Sequence, residues 1–107
     1  MADGDTYLCL LRPARLGMVT EGPTAREAEI VSRHAVYLRS LAERDAVLLF
    51  GRTSRPGDER TFGIVLLRAE SEEAARRLVA DDPAVAQGVM RAELHPYRIA
   101  NLRGGTP

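Results

Sequence analysis

The chain has 107 residues, 45% of them hydrophobic, and its fifteen basic and fifteen acidic side chains cancel, so length and balance fit one domain around one core. The charges are spread along the chain, which leaves no basic footprint for nucleic acid or an anionic membrane, and every basic residue is Arg, which excludes lysine-amine chemistry. The single Cys9 cannot close an internal disulfide, MADGDTY lacks the basic and apolar parts of a signal peptide, and no apolar run approaches the ~18 residues of a membrane span; a soluble protein of the reducing cytoplasm is expected.

In chain order, TYLCLLR (6–12) is a short, nearly continuous apolar run that Pro13 and Gly17 end in a loop, as a buried strand requires. Cys9 inside it is expected as a buried, inert thiol. In GPTAREAEIVSRHAVYLRSLAERD, Thr24 followed by Glu27 forms a capping-box pattern, and Ile30, His34, Leu38, Leu41 and Ala42 recur at helical spacing. AVLLFGRT and TFGIVLLRA are two strand-like runs separated by SRPGDER, whose Pro56, Gly57 and Asp58 suit a reversing loop. SEEAARRLVADD opens with Ser71 as N-cap, places Glu72 and Glu73 where the helix dipole favours them, and presents Ala74, Ala75, Leu78 and Val79 as its apolar stripe. GVMRAELHPYRIA alternates Val89, Arg91 and Glu93 against Met90, Ala92 and Leu94 as a last strand, and residues 100–107 are expected as a flexible tail.

The order strand, helix, strand, strand, helix, strand predicts an α+β, ferredoxin-like βαββαβ fold with two helices on one face of a four-stranded antiparallel sheet. Leu10 with Leu11, Leu48 with Leu49, and Val65 with Leu66 make the strands apolar on both parities. Such strands need cover on both faces. A second copy packed across a two-fold axis supplies it, so a homodimer through the open sheet face is expected.

Chemistry is harder to read from pattern. There is no Cys pair, no His-x-x-x-His, no Gly-rich phosphate loop and no Gly-x-Ser-x-Gly elbow, so metal and nucleotide readings have nothing to stand on. His34 leads the candidates because its stripe points inward and imidazole moves protons near neutral pH. From spacing alone, a core histidine satisfied by one hydrogen bond is the favoured reading. Asp82 before Pro83 has the signature of an N-cap for PAVAQG, and Asp81 that of a solvated neighbour. His95 is expected to be structural or exposed, and burial with one hydrogen bond accounts for Tyr37 or Tyr97.

HAVYLRSLAERDAVLLFGRT and FGIVLLRAESEEAARRLVADDPAVAQGVMRAELHPYRIA resemble the YciI-like, or YCII-related, domain family in order and spacing, with His34-x-x-x-Leu38, the helix ending Asp82-Pro83 and the closing HPYR as specific marks. The likeness runs from about residue 7 to about 99. It implies a dimeric ferredoxin-like barrel related to muconolactone isomerase and to small cofactor-free monooxygenases, with no cofactor and with a His–Asp site that falls by position on His34 and Asp82. In that site His34 is the acid/base and Asp82 its orienter. The accessible reactions are proton transfers such as isomerisation, lactone rearrangement or elimination, and the family includes a member that dehydrochlorinates a hydroxylated aromatic.

Two departures from the family pattern bear on the site. FGRTSRPG stands where Ala-Gly-Pro is common, which offers Arg52 to a carboxylate or phenolate and brings Ser54 nearby; with Tyr37 these are the expected substrate-binding residues. A solvated hairpin Arg is the competing reading of Arg52. The segment before His34 is longer than in compact members, and two helical turns of offset would separate His34 from Asp82. Two functions therefore stand side by side: a cofactor-independent enzyme acting on a small aromatic or lactone-like metabolite, and a non-catalytic dimeric module that binds a small ligand or a protein.

Overall fold

A computed structural model describes residues 5–104. The first four residues, and the end of the expected C-terminal tail, lie outside the described part. The elements are β1 (Asp5–Pro13), α1 (Gly17–Thr20), α2 (Ala25–Glu43), β2 (Val47–Arg52), β3 (Gly63–Ala69), α3 (Glu72–Ala80), α4 (Pro83–Ala86) and β4 (Met90–Pro96). Removing the two four-residue helices α1 and α4 leaves the expected βαββαβ order.

One four-stranded sheet, ordered β2-β3-β1-β4, has every neighbouring pair antiparallel. Its strand order and α+β composition are those of a ferredoxin-like fold. The register sorts the side chains by parity: Cys9 lies between Val65 and Leu94, and Leu11 between Gly63 and Ala92. Tyr7, Cys9, Leu11, Val65 and Leu67 are buried with Leu38, Leu41 and Ala75 of the helices, and this is the core. The other parity carries Leu8 and Leu10 beside Leu66 and Ile64, with His95 and Glu93 on the outer strand. This face has no helix over it, and Leu49, paired with Leu66, is 46% exposed.

Local signals account for the helix ends. Thr24 and Glu27 form the full capping box, Glu27 N–H donating to Thr24 Oγ1 at 3.1 Å and Thr24 N–H to Glu27 Oε1 at 2.9 Å. Ser71 accepts from Ala74 N–H and so caps α3. α2 ends without a glycine: Asp45 takes the left-handed conformation at φ 62°, Ala46 N–H bonds Leu41 C=O and Asp45 N–H bonds Ala42 C=O. That is a Schellman closure built on an aspartate. The loop expected after Pro13 contains the extra turn α1, which Arg15 clips to α2 through a two-pronged ion pair with Glu27, at 2.6 and 2.9 Å. No helix of the described residues is long and apolar enough to cross a membrane.

Candidate functional site

His34 sits near the middle of α2, on the stripe that buries Ile30 and Leu38. Asp82 ends the link from α3 and starts α4, with Pro83 in the first helical position. Packing α2 against α4 brings the two together: His34 Nδ1 lies 2.7 Å from Asp82 Oδ2 and 2.9 Å from Oδ1. Their side chains are 12% and 5% exposed, so the contact is shielded from water. Oδ1 also accepts from Ala84 N–H at 2.9 Å. The cap and the histidine partner, alternatives in the sequence, are one residue because an ionised carboxylate has room for both donors.

The carboxylate assigns the imidazole tautomer. A carboxylate only accepts, so Nδ1 carries the proton that it shares with Asp82, and in the neutral ring Nε2 holds the free lone pair. Nε2 has no partner among the described residues. Because no buried side-chain nitrogen or oxygen is left without a partner among the described residues, Nε2 is the open end of the ring. His34 lines a cavity of about 620 Å³, the size range of small-molecule sites.

The cavity, open on one side, is lined by α2, the ends of β1 and β3, the β2–β3 loop, and Met18 and Val19 of α1. Its wall is mostly apolar, through such residues as Val31, Leu38, Phe50, Phe62 and Met90, and its charged side chains are Arg12, Arg52 and Arg55. Asp82 is not on this wall. It stands behind His34, beside Cys9, Leu38 and Val79. Burial and then the Asp82 carboxylate push the Cys9 thiol up to about 11, so the thiol is held protonated and unreactive at neutral pH.

The substrate-binding expectations separate in space. Arg52 lines the cavity, as do its loop neighbours Arg55, Pro56 and Gly57. Ser54 is exposed and does not reach the wall, because the loop turns outward there before Pro56 and Gly57 return. Tyr37 points away: one helical turn past His34, its hydroxyl donates to Leu78 C=O at 2.6 Å and ties α2 to α3. Burial, then Asp81 and Asp82, push its phenol up to about 12. His95 is exposed and meets Glu93 at 3.0 Å, and Tyr97 is 47% exposed. Among the described residues no group of three or more His, Cys, Asp or Glu side chains is placed to hold a metal ion.

Arg12 and Phe62 were not among the candidates. Arg12 Cζ lies 5.5 Å from the centroid of the Phe62 ring, within reach of a cation–π contact. In sequence, the only hint is a charged residue closing an apolar strand, which solvation explains as well. Gly63 is equally silent until the strands pair: a β-carbon there would meet Gly51 C=O at 3.1 Å, at the point where Arg52 and Leu11 flank it.

A family model described as YCII-related domain matches residues 6–96. Among solved structures, the 5-chloro-2-hydroxyhydroquinone dehydrochlorinase of Burkholderia phenoliruptrix AC1100, in complex with 2,5-dihydroxybenzoquinone, is similar at 18% identity with a TM-score of 0.62, over 86% of this chain and 93% of that one. Two structures of SnoaB, a cofactor-independent oxygenase from Streptomyces nogalater, are similar at 14% and 12% identity, each with a TM-score of 0.48 over 97% of this chain and all of that one. No curated protein matches. The dehydrochlorinase likeness, at its level of identity, bears on the fold alone.

Proposed function

The chain belongs to the YCII-related domain family, and from that membership and the geometry of His34 we propose that it is a cofactor-independent enzyme that moves a proton on a small aromatic or lactone-like metabolite. One observation carries the reading: Nδ1 is engaged by a buried carboxylate at 2.7 Å while His34 lines a cavity of small-molecule size. His34 is the acid/base. Nε2 takes a proton from a substrate C–H or O–H, Asp82 stabilises the imidazolium that results, and the proton returns to another atom of the substrate. In an isomerisation the electron pair of the broken C–H bond moves into a new double bond and the proton is redelivered elsewhere. In an elimination the same pair expels an anionic leaving group, and His34 releases the proton to solvent instead of returning it to the substrate. Asp82 acts through His34, as a positioning residue. Arg52, on the wall, is the substrate-binding side chain that this site retains of those expected.

The same reading takes the working unit as a homodimer, closed through the open sheet face. Leu8, Leu10 and Ile64, half-buried, and the exposed Leu49 surround the buried Leu66 there, an apolar patch wider than isolated apolar side chains on a surface make. Leu49→Glu, at a position 46% exposed in the single chain, is expected to convert a dimer to a monomer in sedimentation, and a monomeric native protein would refute this part.

A binding module without catalysis has its own support, since Asp82 caps α4 through Ala84 N–H whether or not His34 reacts. The deciding experiment screens lactones and halogenated hydroquinones by NMR in D2O with the native protein, His34→Gln and Asp82→Asn. The enzyme reading expects turnover or carbon-bound deuterium incorporation that His34→Gln abolishes and Asp82→Asn strongly reduces, with the folded spectrum kept. Ligand binding without any exchange or turnover, equal in the native protein and His34→Gln, supports the module instead.

A further inference from the structure

The register at the start of β3 gathers cationic groups at one end of the cavity. Gly63 pairs with Leu11 on one side and Arg52 on the other, so Arg12, one residue beyond Leu11, and Arg52 arrive from the two strands that flank β3. Arg55 joins them from the loop. These three arginines and His34 line the cavity, and among the described residues no Asp or Glu does.

Among the described residues none of the three meets a carboxylate. Among the described residues the carboxylates within ion-pair distance of an arginine engage Arg15, Arg33, Arg60 and Arg76, and Arg12, Arg52 and Arg55 make no side-chain hydrogen bond to the protein. The contrast with Arg60 is instructive, since it belongs to the same loop and is held by Asp58 through two hydrogen bonds, at 2.9 and 3.1 Å. The loop contains a carboxylate within reach of its arginines, and that carboxylate serves Arg60, away from the wall. Arg12 instead rests against the Phe62 ring, which leaves its N–H fork unspent. Like charges brought to one apolar cleft raise its local potential, and the surrounding low-dielectric wall focuses it.

We infer that the cavity takes an anion on an apolar body: an aromatic or similarly flat carboxylate or phenolate, whose charged end is bound by Arg52 and Arg55 and whose ring lies along Phe50 and Met90 toward His34. This rests on the proposed acid/base reading and names its substrate class. Arginine suits the task because its planar fork matches a carboxylate in two parallel hydrogen bonds. The apolar wall supplies affinity without selecting sign, and the guanidinium groups supply the sign. An anionic end fixed at the mouth of β3 also orients the remainder of the molecule toward the imidazole.

The test compares three probes of one shape: 2-naphthoate, 2-naphthamide and 2-naphthylmethylammonium, titrated into the full chain by calorimetry with NMR shifts mapping the site. Naphthoate is expected to bind about tenfold or more tighter than the amide, as one charge-assisted interaction supplies, with the ammonium weakest. Arg52→Gln and Arg55→Gln each reduce naphthoate toward the amide while leaving the amide unchanged, and Arg52→Lys retains part of the preference. Both arginines are exposed, so the variants keep the fold, which their NMR dispersion verifies. Equal binding of naphthoate and amide, no saturable binding of naphthoate, or a naphthoate preference indifferent to both substitutions would overturn the inference. The His34 ring, followed by 15N shifts in the native protein and Asp82→Asn, reports separately on the acid/base reading. An anion preference without the Nδ1–H tautomer leaves a binding site and removes the chemistry; the tautomer without the preference leaves the chemistry and removes this substrate class.

Discussion

Replacing Asp82 by asparagine and by alanine separates its two duties. Asparagine caps a helix as well as aspartate does, so Asp82→Asn keeps the bond from Ala84 N–H, at 2.9 Å in the native protein, and loses only the charge facing His34. Alanine removes both. The cap contributes about 1 kcal/mol, and a buried hydrogen bond to a charged group about 1.5–3 kcal/mol. Asp82→Ala is therefore expected to cost roughly 3 kcal/mol, which for a domain of about this size lowers Tm by roughly 12–24 °C. Asp82→Asn should fall about 1 kcal/mol short of that loss, the difference being the retained cap. Urea unfolding at one fixed protein concentration measures both variants, with concentration held constant because self-association shifts apparent stability. The 15N spectrum of the imidazole supplies the second readout: the Nδ1–H tautomer dominates the neutral ring in the native protein, and Asp82→Asn, whose amide can turn either group toward the ring, lets the other tautomer appear. Equal stability of native protein and Asp82→Ala would refute the structural account of Asp82. An unchanged tautomer in Asp82→Asn would refute its orienting role.

Tyr37→Phe leaves Leu78 C=O without its donor and should cost about 1 kcal/mol in the same unfolding assay, with naphthoate affinity unchanged because the hydroxyl points away from the cavity. Glu27 is held at about 2, below its ordinary 4.5, chiefly by the side-chain hydrogen bond from Arg15 and then by the backbone N–H of Thr24. A carboxylate with a lowered folded-state pKa contributes stability above its unfolded value that is lost as pH falls through the folded one. Glu27→Gln should therefore flatten the fall in stability between about pH 4.5 and about pH 2, and an unaltered acid limb would remove the clip between the α1 turn and α2. Cys9, buried and raised to about 11, should react with a thiol reagent at pH 8 only at the rate of unfolding, and rapid stoichiometric labelling of the native protein would contradict its placement. Asp45→Gly should stabilise the chain by about 0.5–1 kcal/mol, because glycine adopts the left-handed conformation at φ 62° without the penalty of a β-carbon.

What the chain declares locally, its fold follows. The capping box of Thr24 and Glu27, the Ser71 cap, the Pro56-Gly57 turn and the alternation of β4 each depend on residues within a few positions of one another, so their spacing alone carries the information. The order of elements and the two-sided apolar strands then determine a ferredoxin-like sheet with one face left open. Where local chemistry departs from habit, the sequence is mute. α2 closes on an aspartate where a glycine signal would be sought, and the turn of α1 has neither a side-chain cap nor an apolar period.

The site is of another kind. His34 and Asp82 lie 48 residues apart, and only the packing of α2 on α4 decides whether a spacing that suits a core histidine and a cap also makes a hydrogen-bonded pair. Tyr37 and Arg52 illustrate the same limit: one is turned to a neighbouring carbonyl and the other to the cavity, by the helix face and the strand register that each happens to occupy. Arg12 meets Phe62, and Arg52 comes to lie across Gly63 from Leu11, solely because β1 and β2 both pair with the first residues of β3. Element identity was legible because it is a short-range property of the chain, whereas the charge and shape of the cavity arise from distant segments brought to one place, which the tertiary fold alone decides.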